Sequence, residues 1–420
     1  MVGLIDCNNF FVSCERVFNP GLMRKPVIVL SNNDGCAVAL SEEAKALGIK
    51  RGDPYFKIRH ICDSNLVTVY SGNHKLYSDM SSRVMATLAS LTSNIEVYSV
   101  DEAFFDLGNM TDGHIEDKGR FIVKKIRRDT GIPTSMGIAH TKTLAKIAAR
   151  FAKRYHGYRC VCLIDDDNKR RKALSLTPIE NVWGIGRKLG KKLPATGVMT
   201  ALDFADIPYS TIHKEFNITT ERTWRELNGE PCVDMTPEET EKKQICCSRS
   251  FGEMIKTLDG LTKAIATFTT IAARKLRKQN SCASAISVFI QSNRFRNDME
   301  QYSNSAIRIM EESTADTSML LNAAIKALES IFRHGISYKR AGVILSGIVN
   351  DTLVQPSLFI SQDKRERRNN LMKIIDTINA SSATHDTIHI ASYEPVSQLA
   401  RHEHSSRLYT TSIKDVIKIK

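Results

Sequence analysis

Asp6, Asp101 and Glu102 are carboxylates set against apolar runs. Asp6 closes the run Val2-Gly3-Leu4-Ile5, and Asp101-Glu102 separates the apolar stretches 95–100 and 104–107. A carboxylate beside buried strands is costly unless it is paired or binds a metal. Each alone reads as a turn residue or half of a salt bridge. Together they offer hard oxygen ligands from separate strands, the set that phosphoryl transfer by two metals requires, with the ions about 4 Å apart. One ion lowers the pKa of an attacking hydroxyl, and the other holds a triphosphate and its leaving pyrophosphate. The spacing does not itself bring residues 6 and 101 together, so the chemistry waits on the elements around them.

Residues 2–6 fit a buried strand. A second apolar run at 27–30 is closed by the turn-forming Ser31-Asn32-Asn33-Asp34-Gly35. Stretches 95–100 and 104–107 read as strands joined at a tight turn. A helix is expected at 141–155, where Leu144, Ile147, Ala148 and Phe151 fall at helical spacing. Lys142, Lys146, Arg150 and Arg154 recur every fourth residue of it with no acid interleaved, so their repulsion is unrelieved unless an anion lies alongside. Residues 167–235 read as helical, with turn points at Gly184, Gly186 and Gly197. The polar stretch 238–243 behind Pro237 reads as a linker. Beyond it come a strand at 245–251, a helix at 258–278, strands through Ile286–Val288–Ile290 and Ile307–Ile309, a helix at 317–333 and a strand at 343–348. That order describes a compact α+β module with helices on one sheet face.

The chain of 420 residues carries 59 Lys and Arg against 46 Asp and Glu, a net charge of +13. That excess favours a polyanionic partner, with nucleic acid ahead of a membrane surface. Gly184-Ile185-Gly186 ahead of a helix can offer backbone N–H groups to a phosphate, and Arg187, Lys188, Lys191 and Lys192 follow it. Arg274, Lys275, Arg277 and Lys278 crowd a helix C-terminus, where capping of the helix dipole explains some of them. The ten cysteines are scattered, which argues against a zinc site and a disulfide framework. Residues 2–5 are too short for a signal peptide and no run of about 18 apolar residues occurs, so a cytoplasmic protein is expected.

The run Asp6-Cys7-Asn8-Asn9-Phe10-Phe11-Val12-Ser13-Cys14-Glu15 resembles the opening motif of Y-family translesion DNA polymerases, and Tyr98-Ser99-Val100-Asp101-Glu102-Ala103-Phe104 resembles their second metal motif. Supporting stretches include Glu43-Ala44-Lys45-Ala46-Leu47-Gly48, Thr141-Lys142-Thr143-Leu144-Ala145-Lys146 and Cys247-Ser248-Arg249-Ser250-Phe251-Gly252. The likeness runs in order along the whole chain and is greatest to the bacterial DNA polymerase V branch. It implies an α+β multidomain right hand: palm (1–14 and 73–166), fingers (15–72), helical thumb (167–236), α+β little finger (244–350) and a C-terminal tail (351–420). It implies low-fidelity, template-directed DNA synthesis across damage in the SOS response, in the cytoplasm and associated with the nucleoid.

By the same resemblance Asp6, Asp101, Glu102 and the Cys7 carbonyl hold two Mg²⁺ ions, with Mn²⁺ as a substitute. Phe11 is the steric gate against a ribose 2′-hydroxyl, its plainer reading being a core aromatic beside Phe10. Phe10, Phe11, Lys45 and Lys153 bind the incoming dNTP. Gly184, Gly186, Arg187, Lys188 and Arg249 grip the primer–template DNA backbone. The chain departs from the family at Ala39 and Glu42, where Thr and Tyr are frequent, and lacks those hydroxyls. Gln355, Leu358 and Phe359 resemble the peptide that docks on a sliding clamp. Leu371, Ile374, Ile375 and Ile378 mark an amphipathic helix, and a UmuD′-like dimer and RecA are implied as partners of this region. A two-metal nuclease and a DNA-binding scaffold without activity remain as alternatives. Phe11 and the triphosphate lysines argue against the first, and intact metal ligands against the second.

Overall fold

The computed structural model describes residues 1–108, 114–236, 241–354, 362–381, 387–394 and 401–416. It divides into two units, one comprising Met1–Leu30, Cys36–Glu239 and His404–Lys420, the other Ser31–Gly35 and Thr240–Glu403. The first unit runs β1 (Val2–Cys7), α1 (Phe10–Phe18), β2 (Val27–Leu30), β3 (Ala37–Leu40), α2 (Glu42–Ala46), α3 (Tyr55–Ser64), β4 (Thr68–Ser71) and α4 (His74–Ala89). It continues through β5 (Ser93–Val97), β6 (Glu102–Asp106), α5 (Ile115–Thr130), β7 (Thr134–Ala139), α6 (Lys142–Arg154) and β8 (Val161–Ile164). Five helices follow: α7 (Asp167–Ser175), α8 (Arg187–Ala195), α9 (Ala201–Ala205), α10 (Tyr209–Glu215) and α11 (Ile218–Leu227).

Strand β1 is the middle of a five-stranded sheet of order β5-β6-β1-β7-β8, antiparallel to both neighbours. Its alternate residues bury on opposite faces: Ile5 joins the core under α4 and α5, while Leu4 joins the core under α6. A strand covered on both faces reads as continuously apolar, which is why residues 2–5 carry no polar alternation. Gly3 lies against Phe105, and any Cβ there would sit 2.4 Å from the ring. Gly137 in β7 is tighter still, since a Cβ would fall 2.1 Å from the Ala145 carbonyl of α6. That close approach lays α6 directly on the sheet. A smaller sheet, β3-β2-β4, has its own core built on Ile28, Leu30, Leu40 and Ile58.

The second unit holds β9 (Ile245–Ile255), α12 (Leu258–Lys278), β10 (Ser281–Ser292), β11 (Ser303–Thr314), α13 (Thr317–Ile331), β12 (Tyr338–Asn350) and α14 (Gln362–Ser381). Its antiparallel sheet has the order β11-β10-β12-β9, and α12 and α13 pack on it through Phe268, Leu276, Leu320 and Leu328. This is the helices-on-one-face module expected from the element order. Together the units make a mixed α+β fold of several cores.

One expectation needs correction. The basic stripe of α6 is not a uniform solvated face: the Lys142 side chain is 2% exposed and its Nζ meets Glu96 Oε2 at 2.6 Å and the Asp234 carbonyl at 2.7 Å. Acids from other elements relieve a repulsion that the helix sequence leaves open. In α14 the apolar set Leu371, Ile374 and Ile378 is exposed, while Met372 and Asn379 are buried. This helix is held by Arg277 of α12, whose guanidinium grips Asp376 at 2.6 and 2.9 Å. Arg277 is thus a structural tie. Residues 355–359, including Gln355, Leu358 and Phe359, lie outside the described residues. Among the described residues no helix is long and apolar enough to cross a membrane.

Candidate active site

The β1–β6 register sets Asp6 directly opposite Glu102. One residue on, the Cys7 amide donates to the Asp101 carbonyl at 2.8 Å, which draws the 98–102 turn against the end of β1. Ser99 fixes that turn: its hydroxyl donates to Asp101 Oδ1 at 2.5 Å and accepts from the Asp101 and Glu102 amides at 3.2 and 3.1 Å. Two residues nearly a hundred positions apart in sequence therefore meet through strand pairing and one turn.

Helix α6 supplies the countercharge. Lys153 Nζ lies 2.8 Å from Asp6 Oδ1, and Lys146 Nζ lies 2.6 Å from Glu102 Oε2. Lys146 also sits 4.2 Å from the centroid of the Tyr98 ring, and the Tyr98 hydroxyl accepts from Trp183 Nε1 at 3.0 Å. The Cys7 thiol registers this field: burial first, then the charges of Asp6 and Asp101, push its pKa far up. Among the described residues no group of three or more His, Cys, Asp or Glu stands ready-made around a metal position. The donor chemistry of Asp6, Asp101 and Glu102 nonetheless suits a hard divalent cation. Lys146 and Lys153 would have to yield Glu102 and Asp6 to it.

Between β1 and α1, Asn9 adopts a left-handed conformation with φ +47°. Asn tolerates that region better than most residues, and here it turns the chain abruptly from strand to helix. Its side chain bridges to α2, donating to Glu42 Oε1 at 3.0 Å and accepting from Lys45 Nζ at 3.0 Å. Lys45 also pairs with Glu42 at 2.7 Å. Burial raises the Glu42 pKa, but hydrogen bonds from Lys45 and Asn9 and the charges of Lys45 and Lys153 bring it below its ordinary value. Lys45 and Lys153 thus act on the same neighbourhood although α2 and α6 are far apart in sequence. The departure at position 42 places a carboxylate on one of the two lysines; Ala39 is half-buried in β3 and offers no hydroxyl.

Phe10 is 3% exposed and belongs to the core, which leaves only its backbone for a ligand. Phe11 is half-buried, with its ring stacked on Tyr77 at 4.4 Å and 13° and edge-on to His74 at 6.0 Å.

Gly184 has φ +92°, and a Cβ there would strike the Thr223 hydroxyl at 2.2 Å, so this turn requires glycine. Gly186 is the N-cap of α8 and has open space around it, with Arg187 and Lys188 exposed beyond it. In the second unit Arg249 is half-buried on β9, its guanidinium donating to the Ser248 carbonyl at 2.8 Å. Register pairs Arg340 of β12 with Ser250, and its guanidinium donates to Ser248 Oγ at 3.0 Å. Sequence reading missed Arg340, which strand pairing sets next to Ala341, the partner of Arg249, and on the face shared by Ser248 and Ser250. It also missed Ser99, Tyr98 and Lys146 as site residues, although the regular α6 stripe signalled the lysine.

Residues 5–150 match the model of the impB/mucB/samB family, and 242–358 match that of its C-terminal domain. The chain belongs to the impB/mucB/samB family. It is 39% identical to Protein UmuC of Salmonella typhimurium over the full length of both chains. It is 25% identical to DNA polymerase IV of Alkaliphilus oremlandii, over 88% of this chain and 91% of that one. Among solved structures, the Y-family DNA polymerase chimera Dbh-Dpo4(243-245)-Dbh superposes with a TM-score of 0.67 at 22% identity, covering 83% of this chain and 99% of the chimera. The impB/mucB/samB chain therefore carries the Y-family polymerase fold, and that fold brings its first-motif and second-motif carboxylates onto adjoining strands.

Proposed function

We propose that this chain is a DNA-directed DNA polymerase that copies damaged template with low fidelity, as part of the SOS response. One observation carries the reading: Asp6 pairs across the sheet with Glu102, beside Asp101, five residues ahead of the half-buried Phe11 and under two lysines of α6. When bound, two Mg²⁺ ions would supply the charge that activates a primer 3′-hydroxyl and neutralises the departing pyrophosphate. Asp6, Asp101, Glu102 and the Cys7 carbonyl would hold them. Lys45 and Lys153 bind the triphosphate by charge complementarity. Phe11 closes the space that a ribose 2′-hydroxyl would need, and the Phe10 backbone lines the same edge.

In this reading residues 1–14 and 73–166 are the palm, 15–72 the fingers, 167–236 the thumb, 244–350 the little finger, and 351–420 a region that recruits partners. Gly184, Gly186, Arg187 and Lys188 hold phosphates through backbone N–H groups and charge, and Arg249 does so from the little finger. Gln355, Leu358 and Phe359 dock on a sliding clamp, and a UmuD′-like dimer and RecA complete the active assembly in the cytoplasm.

The test is extension of a primer on a template with an abasic site, with Mg²⁺ and dNTPs, with and without a UmuD′-like partner. Full-length chain should extend past the lesion, and Asp101→Ala should not. Shortening of the primer would instead mark a nuclease, and binding without either reaction a scaffold. Deleting Leu358 and Phe359 should abolish clamp binding in a pull-down while sparing extension in the absence of clamp.

A further inference from the structure

Glu15 follows Phe11 by one turn on the same face of α1, and it is 1% exposed. Burial raises its pKa, opposed by two hydrogen bonds. Both come from hydroxyls and both reach Oε1: Tyr77 at 2.8 Å and Ser406 at 2.9 Å. Tyr77 therefore spans α1, its ring stacked on Phe11 and its hydroxyl on Glu15. The second donor comes from a stretch almost four hundred residues away in sequence. That stretch is tied along its length. His404 exchanges two hydrogen bonds with Ser71 at the end of β4, at 2.9 and 3.0 Å. Asn73, the N-cap of α4, donates to Ser406 Oγ at 2.9 Å and to the Arg407 carbonyl at 3.1 Å. Tyr409 stacks on Phe18 at 4.9 Å and 5°.

We infer that residues 404–409 form a strap that sets the Phe11 ring through Ser406, Glu15 and Tyr77, and so help to determine which sugar the nucleotide site accepts. The inference rests on the reading of Phe11 as the sugar gate. A buried carboxylate with one of its two donors removed is no longer fixed from both sides. Tyr77 then loses the fixed acceptor that holds its ring, and the Phe11 face backed by that ring gains room to retreat. Ser406 touches no substrate in this scheme; it is a positioning residue.

The experiment measures single-nucleotide insertion by the full chain with a deoxynucleotide and its ribonucleotide counterpart. Ser406→Ala and Tyr77→Phe should each lower the deoxy-over-ribo preference in kcat/KM by about tenfold, chiefly through a lower KM for the ribonucleotide. The kcat for the deoxynucleotide should stay within about twofold in Ser406→Ala, and Ser406→Thr should restore the preference. Tyr77→Phe keeps the ring and removes one oxygen, so it carries the test if Ser406→Ala does not fold. An unchanged preference in folded variants overturns the inference. So does a loss in which both nucleotides slow by the same factor. Phe11→Ala separates the two ideas: if it relaxes selection and the strap variants do not, the gate stands and the strap fails. If Phe11→Ala itself leaves selection unchanged, both fall.

Discussion

Asp6 and Glu102 each share their charge with a lysine of α6, and those two contacts govern how the site meets a cation. Lys146 is half-buried, so its attraction for Glu102 is screened less than that of a surface pair. It competes with a divalent ion for the same oxygen. Lys146→Met should therefore lower the Mg²⁺ concentration for half-maximal extension by roughly threefold, a shift expected of a screened interaction worth under about 1 kcal/mol. A titration of extension rate against Mg²⁺ checks this. Glu15 gives a stability prediction with a definite sign. Its pKa in the fold is raised above the ordinary 4.5, so the folded state holds the proton more tightly. Its contribution is then fully present below about pH 4.5 and is lost as pH rises through the raised value. Glu15→Gln cannot ionise, so the melting temperature of wild type should fall relative to it as pH climbs from 4.5 toward neutral. Parallel melting curves across that window would refute a raised pKa.

Helix α6 carries both lysines, and its seat depends on two contacts that its own sequence does not announce. Gly137 lets the helix backbone come down onto β7. Glu226 of α11 is 1% exposed and accepts from the Thr143 amide at 2.9 Å and the Thr143 hydroxyl at 2.7 Å at the helix N-terminus. Its other oxygen accepts from the Cys232 and Val233 amides at 3.2 and 3.1 Å. A carboxylate at a helix N-terminus also meets the favourable end of the dipole. Glu226→Ala leaves four donors short of a partner and should destabilise the fold by about 3 kcal/mol in denaturant melts. Extension activity should fall with it, because Lys146 and Lys153 ride on that helix. That residues 167–235 are helical, and that a sheet module with helices follows, was legible in the sequence. The link from α11 to α6 was not, since hydrogen bonds to a buried acid leave no period in the sequence.

Across the whole molecule the excess of 13 positive charges makes binding to primed DNA a matter of counterion release. The logarithm of the affinity should fall linearly with the logarithm of salt concentration. Arg187 and Lys188 are exposed behind the Gly186 N-cap. Replacing both with Ala should flatten that slope by about 2, with little dependence on template sequence. An unchanged slope would remove these two side chains from the DNA contact.

By itself the sequence determined the motif carboxylates, the aromatic pair at Phe10-Phe11, the basic balance and most strands and helices. Those features are local, written in residue type, order and spacing. Tertiary structure alone decided which of them meet. Pairing of β1 with β6 set Asp6 against Glu102; packing of α6 placed Lys146 and Lys153 on those acids; burial sent Phe10 inward and left Phe11 at the edge. The exposed apolar face of α14 shows the converse, a clear helical stripe whose Leu371, Ile374 and Ile378 are left exposed among the described residues. Amphipathicity reports that a face is apolar but not what covers it, and no spacing rule links residues 15, 77 and 406. Only the folded chain brings a serine near its end to the carboxylate behind Phe11.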